Sequence, residues 1–590
     1  MPDDKPQGNP FVALAIILTA TFMILLDISI VNVAVPSIQR DLHASFAQVQ
    51  FVFAGYALAY GVVLITGGRL GDIFGRKRMF MIGVTGFTFA SLLCGISQSG
   101  TQIVAARVFQ GLMASLMYPQ IFSIIRVTFP PQKLAAAFGI LGGVIGLATI
   151  TGPIAGGLII QGNLFGLDWR PIFLINVPIG TFAVIAAALR LPESKAPDAP
   201  KLDLAGVAIV TVALFLLTFP LVEGRDAGWP WWSFAMLAGS VVVMLFFVWF
   251  ERRREGSGKD PLIVSSLFGN RAFVIGLLFF FAFFSGIPSF FLTLNLWLQI
   301  GLGFTALHSG LTLIPFAIGS GIASGLSIRL IPRFGKRILI IGAALAAIGV
   351  VLTIYTVHQF GPDIQSYQLI PAMAVGGVGL GLLIAPSLNY VLAGIGGKDV
   401  GSASGVLTTV QQIGGALGVA AIGVIFFGQI ATHADIVSAN QLPQIRQQLS
   451  AANLPSDVVD RIVVGYQQCF HDQSAAKDPS VPAPACVKAR QYRPVLPPPA
   501  GAAQMTPAQR SAAIAAEYQH VGEVVRGTVI PDAARGVATN FSDSIQLALL
   551  YNVAVFAITF VLLFFLPTPA HLSAAPRTDI EVLPVMTRTD

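Results

Sequence analysis

Fourteen apolar runs, each about 17 to 25 residues long, succeed one another along this chain with only short polar connections between most of them. They begin near Phe11, Gln48, Met79, Thr101, Leu134, Ile172, Leu204, Trp231, Ala272, Leu307, Ile338, Tyr367, Ala403 and Ile545. A run of that length spans the hydrocarbon of a bilayer as a helix, because only a helix satisfies its own backbone groups there. The charged fraction of 11% lies well below the quarter or so typical of soluble domains, and the mean hydropathy is +0.76. The expected fold class is therefore an all-α polytopic membrane protein. The first run, Phe11 to Pro36, is broken only by Asp27 and shows no small-residue cleavage site, so it reads as a retained membrane helix.

The net charge of +7 resides almost entirely in the connections, where lysine and arginine set topology. It gives no reason to expect a nucleic-acid partner. With a cytoplasmic N-terminus, 22 of the 35 basic residues fall on cytoplasmic segments, and the short outer loops hold only Arg40, Arg170 and Arg225. That imbalance predicts N-in, C-in orientation.

The stretch GRLGDIFGRKR (Gly68 to Arg78) has a weaker copy further on. Arg69 to Lys77, RLGDIFGRK, aligns without a gap on Arg329 to Arg337, RLIPRFGKR. One copy joins helices 2 and 3, the other helices 10 and 11. This predicts two six-helix halves with two helices inserted between them, a paired-repeat plan common among secondary transporters. The expected divisions are a cytoplasmic N-terminus (1–10), an N-terminal bundle (11–191), inserted helices (204–250), a C-terminal bundle (272–430 with 545–567), an extracytoplasmic segment (431–544) and a cytoplasmic tail (568–590).

Several of these stretches resemble motifs of the major facilitator superfamily, in particular its fourteen-helix drug:proton antiporters. GRLGDIFGRKR resembles the superfamily's signature loop and LLDISIVNVAVPSI (Leu25 to Ile38) the first-helix motif of those antiporters. RVFQG (Arg107 to Gly111) resembles the fourth-helix motif, and GPIAGG (Gly152 to Gly157) the fifth-helix antiporter motif. WRPIFLINVPIG (Trp169 to Gly180) resembles the start of helix 6, and GSASGVLTTVQQIGGALG (Gly401 to Gly418) the thirteenth helix. The resemblance implies the major facilitator fold and proton-driven efflux of lipophilic small molecules by alternating access. The energy source would be the proton-motive force, with no cofactor and no metal, in a bacterial cytoplasmic (inner) membrane. It also implies that the signature loop latches the two halves, which assigns Gly68, Asp72, Gly75 and Arg76 to gating. Gly152, Pro153, Gly156 and Gly157 then act as a hinge or as a seal against proton leak.

A coupling site follows from elimination. Of the 28 acidic residues only Asp27 lies well inside a run, and the only basic residue at comparable depth is Arg107. At about 1.5 Å of rise per residue, Asp27 sits about 13 Å and Arg107 about 9 Å below the outer face. An unpaired charge there costs about 2.5 to 3.5 kcal/mol, so the two are expected to pair, directly or through water. Burial favours the neutral acid and a neighbouring guanidinium favours the carboxylate, which suits Asp27 to taking up and releasing a proton. A fixed ion pair that only orients helices is the alternative. In the superfamily's fold helices 1 and 4 line a central cavity, and Arg107, Gly111, Ala114 and Tyr118 share one helix face. That face is expected to form a cavity wall.

Candidate substrate contacts are Asn32, Gln110, Tyr118, Asn295, Gln299, Asn389, Gln411 and Gln412, each of which also suits hydrogen bonding between helices. Asn176 belongs with them. The run Phe279 to Phe291 reads as lipid-facing and packing surface. Helix 13 carries no carboxylate, which argues against divalent cationic drugs. Between helices 13 and 14, residues 431–544 hold two helical patterns, one after Pro455 and one capped by Thr506. Cys469 and Cys486 share this segment and are a candidate disulfide. The segment suits either docking of a periplasmic adaptor, with an outer-membrane channel beyond it, or covering of the exit. The remaining partners are the lipophilic substrate and membrane lipid. No P-loop, Gly-x-Ser-x-Gly elbow or paired metal ligands lie within a span, so an ATP-driven pump or an enzyme is not expected. Export of an endogenous lipid, siderophore or antibiotic by the same machinery is the other reading.

Overall fold

The computed structural model describes residues 9–195, 202–224, 227–259, 261–263, 265–392, 395, 400–476, 482–491 and 504–567. The N-terminal half comprises α1 (Pro10–Leu42), α2 (Phe46–Phe74), α3 (Arg76–Gly95), α4 (Gly100–Thr128), α5 (Pro131–Gly162), α6 (Pro171–Leu174) and α7 (Asn176–Arg190). Two inserted helices follow, α8 (Leu204–Glu223) and α9 (Trp231–Gly256). The C-terminal half begins with α10 (Arg271–Leu296), α11 (Ala306–Thr312), α12 (Ile314–Phe334), α13 (Arg337–Phe360), α14 (Ile370–Leu392) and α15 (Val400–Ala451). After α16 (Ser456–Ala475), α17 (Pro484–Gln491) and α18 (Pro507–Gly527), α19 (Val529–Phe565) returns to complete it.

Thirteen helical spans among the described residues are long and apolar enough to cross a membrane. The 32-residue α5 takes the fifth place in the series, so the fold is compatible with fourteen crossings. Local signals place the helix starts. Ser45 caps α2 in a box with Gln48, Asn270 caps α10 through Ala272 and Phe273, and Asp203 caps α8 through Gly206. Trp231, Phe234, Val242, Leu245, Phe246 and Trp249 of α9 are exposed, as a face turned to lipid must be.

The halves repeat one packing plan. In the first, α4 packs on α2 and α3; in the second, α14 packs on α12 and α13. Gly111 of α4 lies against the Tyr56 carbonyl, and Gly377 of α14 against the Phe316 carbonyl. Tyr56 and Phe316 are separated by the same interval as Arg69 and Arg329, so the loop repeat extends into the helices. A Cβ at either glycine would collide with backbone, and glycine is the residue that permits so close a crossing.

Two expectations are refined. Of the phenylalanine run, the reading as packing surface holds and the lipid-facing part is confined to Phe281: Phe279, Phe280, Phe283 and Phe290 are buried, because α10 packs on α15, α19 and α14. The divisions at 431 and 544 do not end helices. α15 runs 52 residues, about 78 Å at a helical rise of about 1.5 Å per residue, far beyond a hydrocarbon core of about 30 Å. It continues because Ala434, Val437, Ile445 and Leu449 keep a helical apolar stripe, which packs with Val459, Val463, Tyr466 and Phe470 of α16 and Val521 of α18. The start of α19 rises from the bundle in the same way.

Cys469 and Cys486 are joined by a disulfide that ties α17 to α16 across 17 residues; Cys94 is buried and free. Reduction is expected to destabilise the insertion by about 3 kcal/mol, the chain-entropy value for a loop of about that length. Amide exchange should speed up in α16 and α17 and stay unchanged in α1 to α4. Equal exchange before and after reduction would show that the bridge carries no stability.

Candidate functional site

Asp27 lies in the middle of α1 with no solvent exposure, and Arg107 of α4 is 1% exposed. They meet directly, Arg107 Nη1 standing 2.6 Å from Asp27 Oδ2. The second carboxylate oxygen, Oδ1, accepts from Gln110 Nε2 and Asn176 Nδ2, each at 3.0 Å. Both amides also reach Ser91 Oγ, at 2.6 and 3.1 Å. Arg107 further donates to the Gln110 Oε1 at 2.6 Å and to the Val52 carbonyl at 3.1 Å. Its guanidinium carbon stands 4.2 Å from the Tyr56 ring centroid, a cation–π arrangement. One acid therefore gathers partners from α4 and α7, with Ser91 of α3 behind the two amides. Dense partnering is what a buried ion pair needs, since its attraction offsets desolvation only when the remaining lone pairs and protons are satisfied.

The direction of Asp27 differs from the expected one. On α1 the half-exposed stripe is Leu18, Phe22, Leu25, Ser29 and Asn32, whereas Asp27 shares the buried side with Met23, Ile24 and Val31. The pair thus lies inside the N-terminal bundle, not on the wall between the halves. The face of α4 carrying Arg107, Gly111 and Ala114 is likewise no cavity wall, because Gly111 meets α2 backbone and Ala114 is buried. Tyr118 at its end packs edge-on against Tyr60 and Phe122, with ring centroids at 5.9 and 5.3 Å. Gln110, read as a substrate contact, is wholly buried and belongs to the Asp27 network.

The other polar candidates are dispersed. Asn32 bonds back to its own helix at Ile28. Asn295 is buried, donates to Phe291 and accepts from Ser309 at 2.9 Å. Gln299 sits in a π-helical turn, Trp297–Gly301, and donates to the Val33 carbonyl of α1 at 3.0 Å, which makes it a tie between halves. Gln411 and Gln412 are half-buried on α15, with the Gln412 side chain against Gly61 of α2. The Asn389 side chain lies outside the described residues.

At the α2–α3 turn Asp72 pairs with Arg76, its neighbour one helical turn on, at 2.9 Å. Gly68 stands beside Pro119 of α4. Gly75 has φ +113°, open to glycine and strained for other residues. A Cβ there would lie 2.6 Å from the Glu193 carboxyl. Glu193, missed by the sequence reading, accepts from the Lys77 and Arg78 amides at 3.0 and 3.2 Å and so caps the N-terminus of α3. Its signal is only an acid just past a membrane helix, and the cap it forms is 116 residues distant. Gly75→Ala is expected to cost about 1–3 kcal/mol from backbone strain and to displace this cap, lowering the thermal midpoint of the purified protein. An unchanged midpoint would remove Gly75 from the argument.

The GPIAGG segment joins the halves. Gly152 and Gly156 lie against Ser29 and Ile30 of α1. A Cβ on Gly157 would lie 2.6 Å from the Leu307 Cα of α11, and one on Gly310 would lie 2.5 Å from the Pro153 carbonyl. Phe46 stacks on Phe427 with centroids at 3.8 Å, and Thr409 donates to the Gly61 carbonyl at 2.9 Å. These contacts run from the start of α2 to its middle and use the last part of α5. The halves therefore close on each other at the end that bears the insertion.

Among the described residues, the C-terminal half holds no counterpart of the ion pair. At the interval that relates Tyr56 to Phe316, Asp27 corresponds to Ile287. Ile287, Phe316, Phe290, Phe291 and Phe556 instead line an apolar cavity with Gly376 and Leu380. At this level the N-terminal half buries a charged pair, whereas the C-terminal half buries only neutral polar groups beside the cavity, Asn552 donating to the Gly286 carbonyl at 2.7 Å and to Ser289 Oγ at 3.0 Å.

The sequence profile of the Major Facilitator Superfamily matches residues 17–419. The chain is 39% identical over 501 residues to a probable actinorhodin transporter of Streptomyces coelicolor, covering 84% of this chain and 87% of that protein. It is 34% identical to a tetracenomycin C resistance and export protein of Streptomyces glaucescens, covering 76% and 81%. The multidrug resistance protein Stp of Mycobacterium tuberculosis is 30% identical, covering 68% and 73%. Among solved structures, a bacterial homolog of the human lysosomal transporter Spinster superposes with a TM-score of 0.55 at 14% identity, covering 96% of this chain and 97% of that one. The chain belongs to the Major Facilitator Superfamily, and it is a multi-pass membrane transporter, not an enzyme.

Proposed function

We propose that this transporter is a proton-coupled efflux antiporter that exports lipophilic small molecules from the cytoplasm or inner leaflet by alternating access. It would sit in the cytoplasmic membrane of a bacterium with both termini inside. The observation that carries the reading is the buried Asp27, an acid held by Arg107, Gln110 and Asn176 in an otherwise apolar bundle. A charge there is costly, and a transporter driven by protons needs one group that can be neutral in one state and charged in another.

In the conformation seen, both oxygens of Asp27 accept hydrogen bonds, Oδ2 from Arg107 and Oδ1 from Gln110 and Asn176. A proton arriving on Asp27 would cancel its attraction for Arg107 and force Gln110 and Asn176 to find new partners. Those residues stand on α4 and α7, so protonation would loosen three helices together. With both termini inside, the closed end bearing the insertion would face outward. Inward movement of one proton supplies about 2.3 kcal/mol per 100 mV of membrane potential.

The names of the relatives support efflux, and 39% identity over most of both chains to a probable actinorhodin transporter favours a second reading, export of a single antibiotic. Proteoliposomes carrying an interior pH dye separate the two when challenged with a panel of lipophilic cations, neutral drugs and actinorhodin. Proton movement with many compounds supports a multidrug exporter, and movement with one alone supports the narrower role. No proton movement with any compound that is transported would sink the coupling.

A further inference from the structure

Two other acids are as deeply buried as an ion pair and belong to neither the Asp27 network nor the signature loop. Asp203, at the start of α8, is 2% exposed, and Glu251, near the end of α9, is 5% exposed. Glu251 opens the charged turn that follows the apolar run of α9. Asp203 Oδ1 is spent on capping α8 through the Gly206 amide at 2.9 Å, and Glu251 Oε2 on the Ile263 amide at 3.1 Å. The other two oxygens, Asp203 Oδ2 and Glu251 Oε1, converge on Gly206, each 2.5 Å from where its Cβ would be. Neither takes a hydrogen bond from an N–H or O–H group among the described residues. Arg254 Nε approaches one of them without closing a hydrogen bond, and two carboxylate oxygens can bond each other only if one carries a proton.

We propose that Asp203 and Glu251 form a second proton-binding site, an acid–carboxylate pair that shares one proton at the end of the bundle opposite the insertion. Arg254 is the basic group that faces it, with Nε 3.4 Å from Asp203 Oδ2. Arg253 turns away over the Trp249 ring, and Arg252 is exposed. With one positive charge and two carboxyls, a single retained proton balances the site. Burial, then the hydrogen bond to Asp203, push the Glu251 carboxyl up to about 7.

The pair is wired to the signature loop. The segment whose Ile263 amide Glu251 holds also presents the Pro261 carbonyl to Arg69 of α2, at 2.5 Å. Since the Glu251 carboxyl is raised, the shared proton is fully present well below the raised value and is lost as pH climbs through it. Loss leaves two buried like charges beside each other, which repel across Gly206 and slacken the hold on the 261–263 segment. The site would let proton availability on that face act on α2 independently of Asp27.

Infrared difference spectroscopy of the full protein in liposomes tests this, reading the carbonyl stretch of a protonated carboxylic acid between about pH 6 and pH 8. The Asp27→Asn protein serves as background, so that the coupling site contributes nothing. A carbonyl band that fades across this range in the background protein, and is absent when Glu251→Gln is added, is the expected result. Asp203→Asn, which keeps a side chain able to cap α8, should move the midpoint down toward ordinary carboxylate values. No fading band in the Asp27→Asn protein, or a band indifferent to both Glu251→Gln and Asp203→Asn, would overturn the proposal while leaving the role of Asp27 untouched.

Discussion

Asp27→Asn is expected to reduce substrate-driven proton movement to the level of empty liposomes while leaving downhill substrate exchange measurable. Asparagine matches the shape of aspartate, and its amide oxygen still accepts from Arg107, now 2.6 Å from the acid. It cannot take up or release a proton. The substitution also leaves the Arg107 guanidinium buried without a counter-charge, and breaking one side of a buried pair typically costs about 3–5 kcal/mol. Lost transport could then reflect lost folding, so the two must be read separately. Exchange of substrate between equal concentrations needs an intact alternating bundle but no net proton flow, and it reports folding and function together. The coupling argument stands if exchange continues and proton movement stops. It fails if the mutant moves protons as the native protein does, which would make Asp27 a fixed structural charge. Asn176→Leu removes a donor to Asp27 without touching the charges, and it should shift the pH dependence of exchange more than its maximal rate.

The Asp27–Arg107 pair was legible because charge in hydrocarbon is rare enough that elimination finds it. Membrane order was legible for the same reason, since run length and apolar content translate directly into spans. What escaped was anything that depends on the rotation of a helix about its axis or on a partner far along the chain. Gln110 looked like a substrate contact because amides suit both cavities and cores, and only the packing of α4 against α3 buries it. The Arg107–Gly111–Ala114 face was recognised as one face, but nothing in its spacing says that it meets α2. Glu193 was invisible because its partners are amides, which any residue carries. The phenylalanine run reads as both lipid-facing and packing surface because its two hydroxyls, Ser285 and Ser289, bond back to their own helix and mark no inner side. Asp203 and Glu251 sit at the ends of apolar runs, where a sequence cannot distinguish a solvated acid from one folded under its neighbour. The length of α15 was missed because the apolar run stops near residue 430, while the helix is carried further by a narrower stripe that only α16 and α18 explain.

Gly157→Val should prevent the two halves from closing at the end that bears the insertion. The Cβ of any residue at 157 would lie 2.6 Å from the Leu307 Cα and 3.0 Å from the Ala306 carbonyl. These are backbone atoms, so no side-chain rotation relieves the clash, and α5 must withdraw from α11. Overpacking of this kind costs about 1–3 kcal/mol, which corresponds to a shift of about 5- to 150-fold between two conformations. The penalty falls on the closed arrangement alone, because a conformation with that end open separates the same atoms. Spin labels on exposed Leu164 and Leu311, one on each side of the contact, should therefore report a longer distance in the variant. Substrate export should fall in proportion, since a cycle that rarely reaches one of its two states turns over rarely. Gly428→Ala is the control: nothing lies within 4 Å of its Cβ position, so it should alter neither distance nor transport. A Gly157→Val protein with native distances and native export would mean that the glycines of GPIAGG merely allow α5 to pack, and that the closure of the halves rests on α2 and α15.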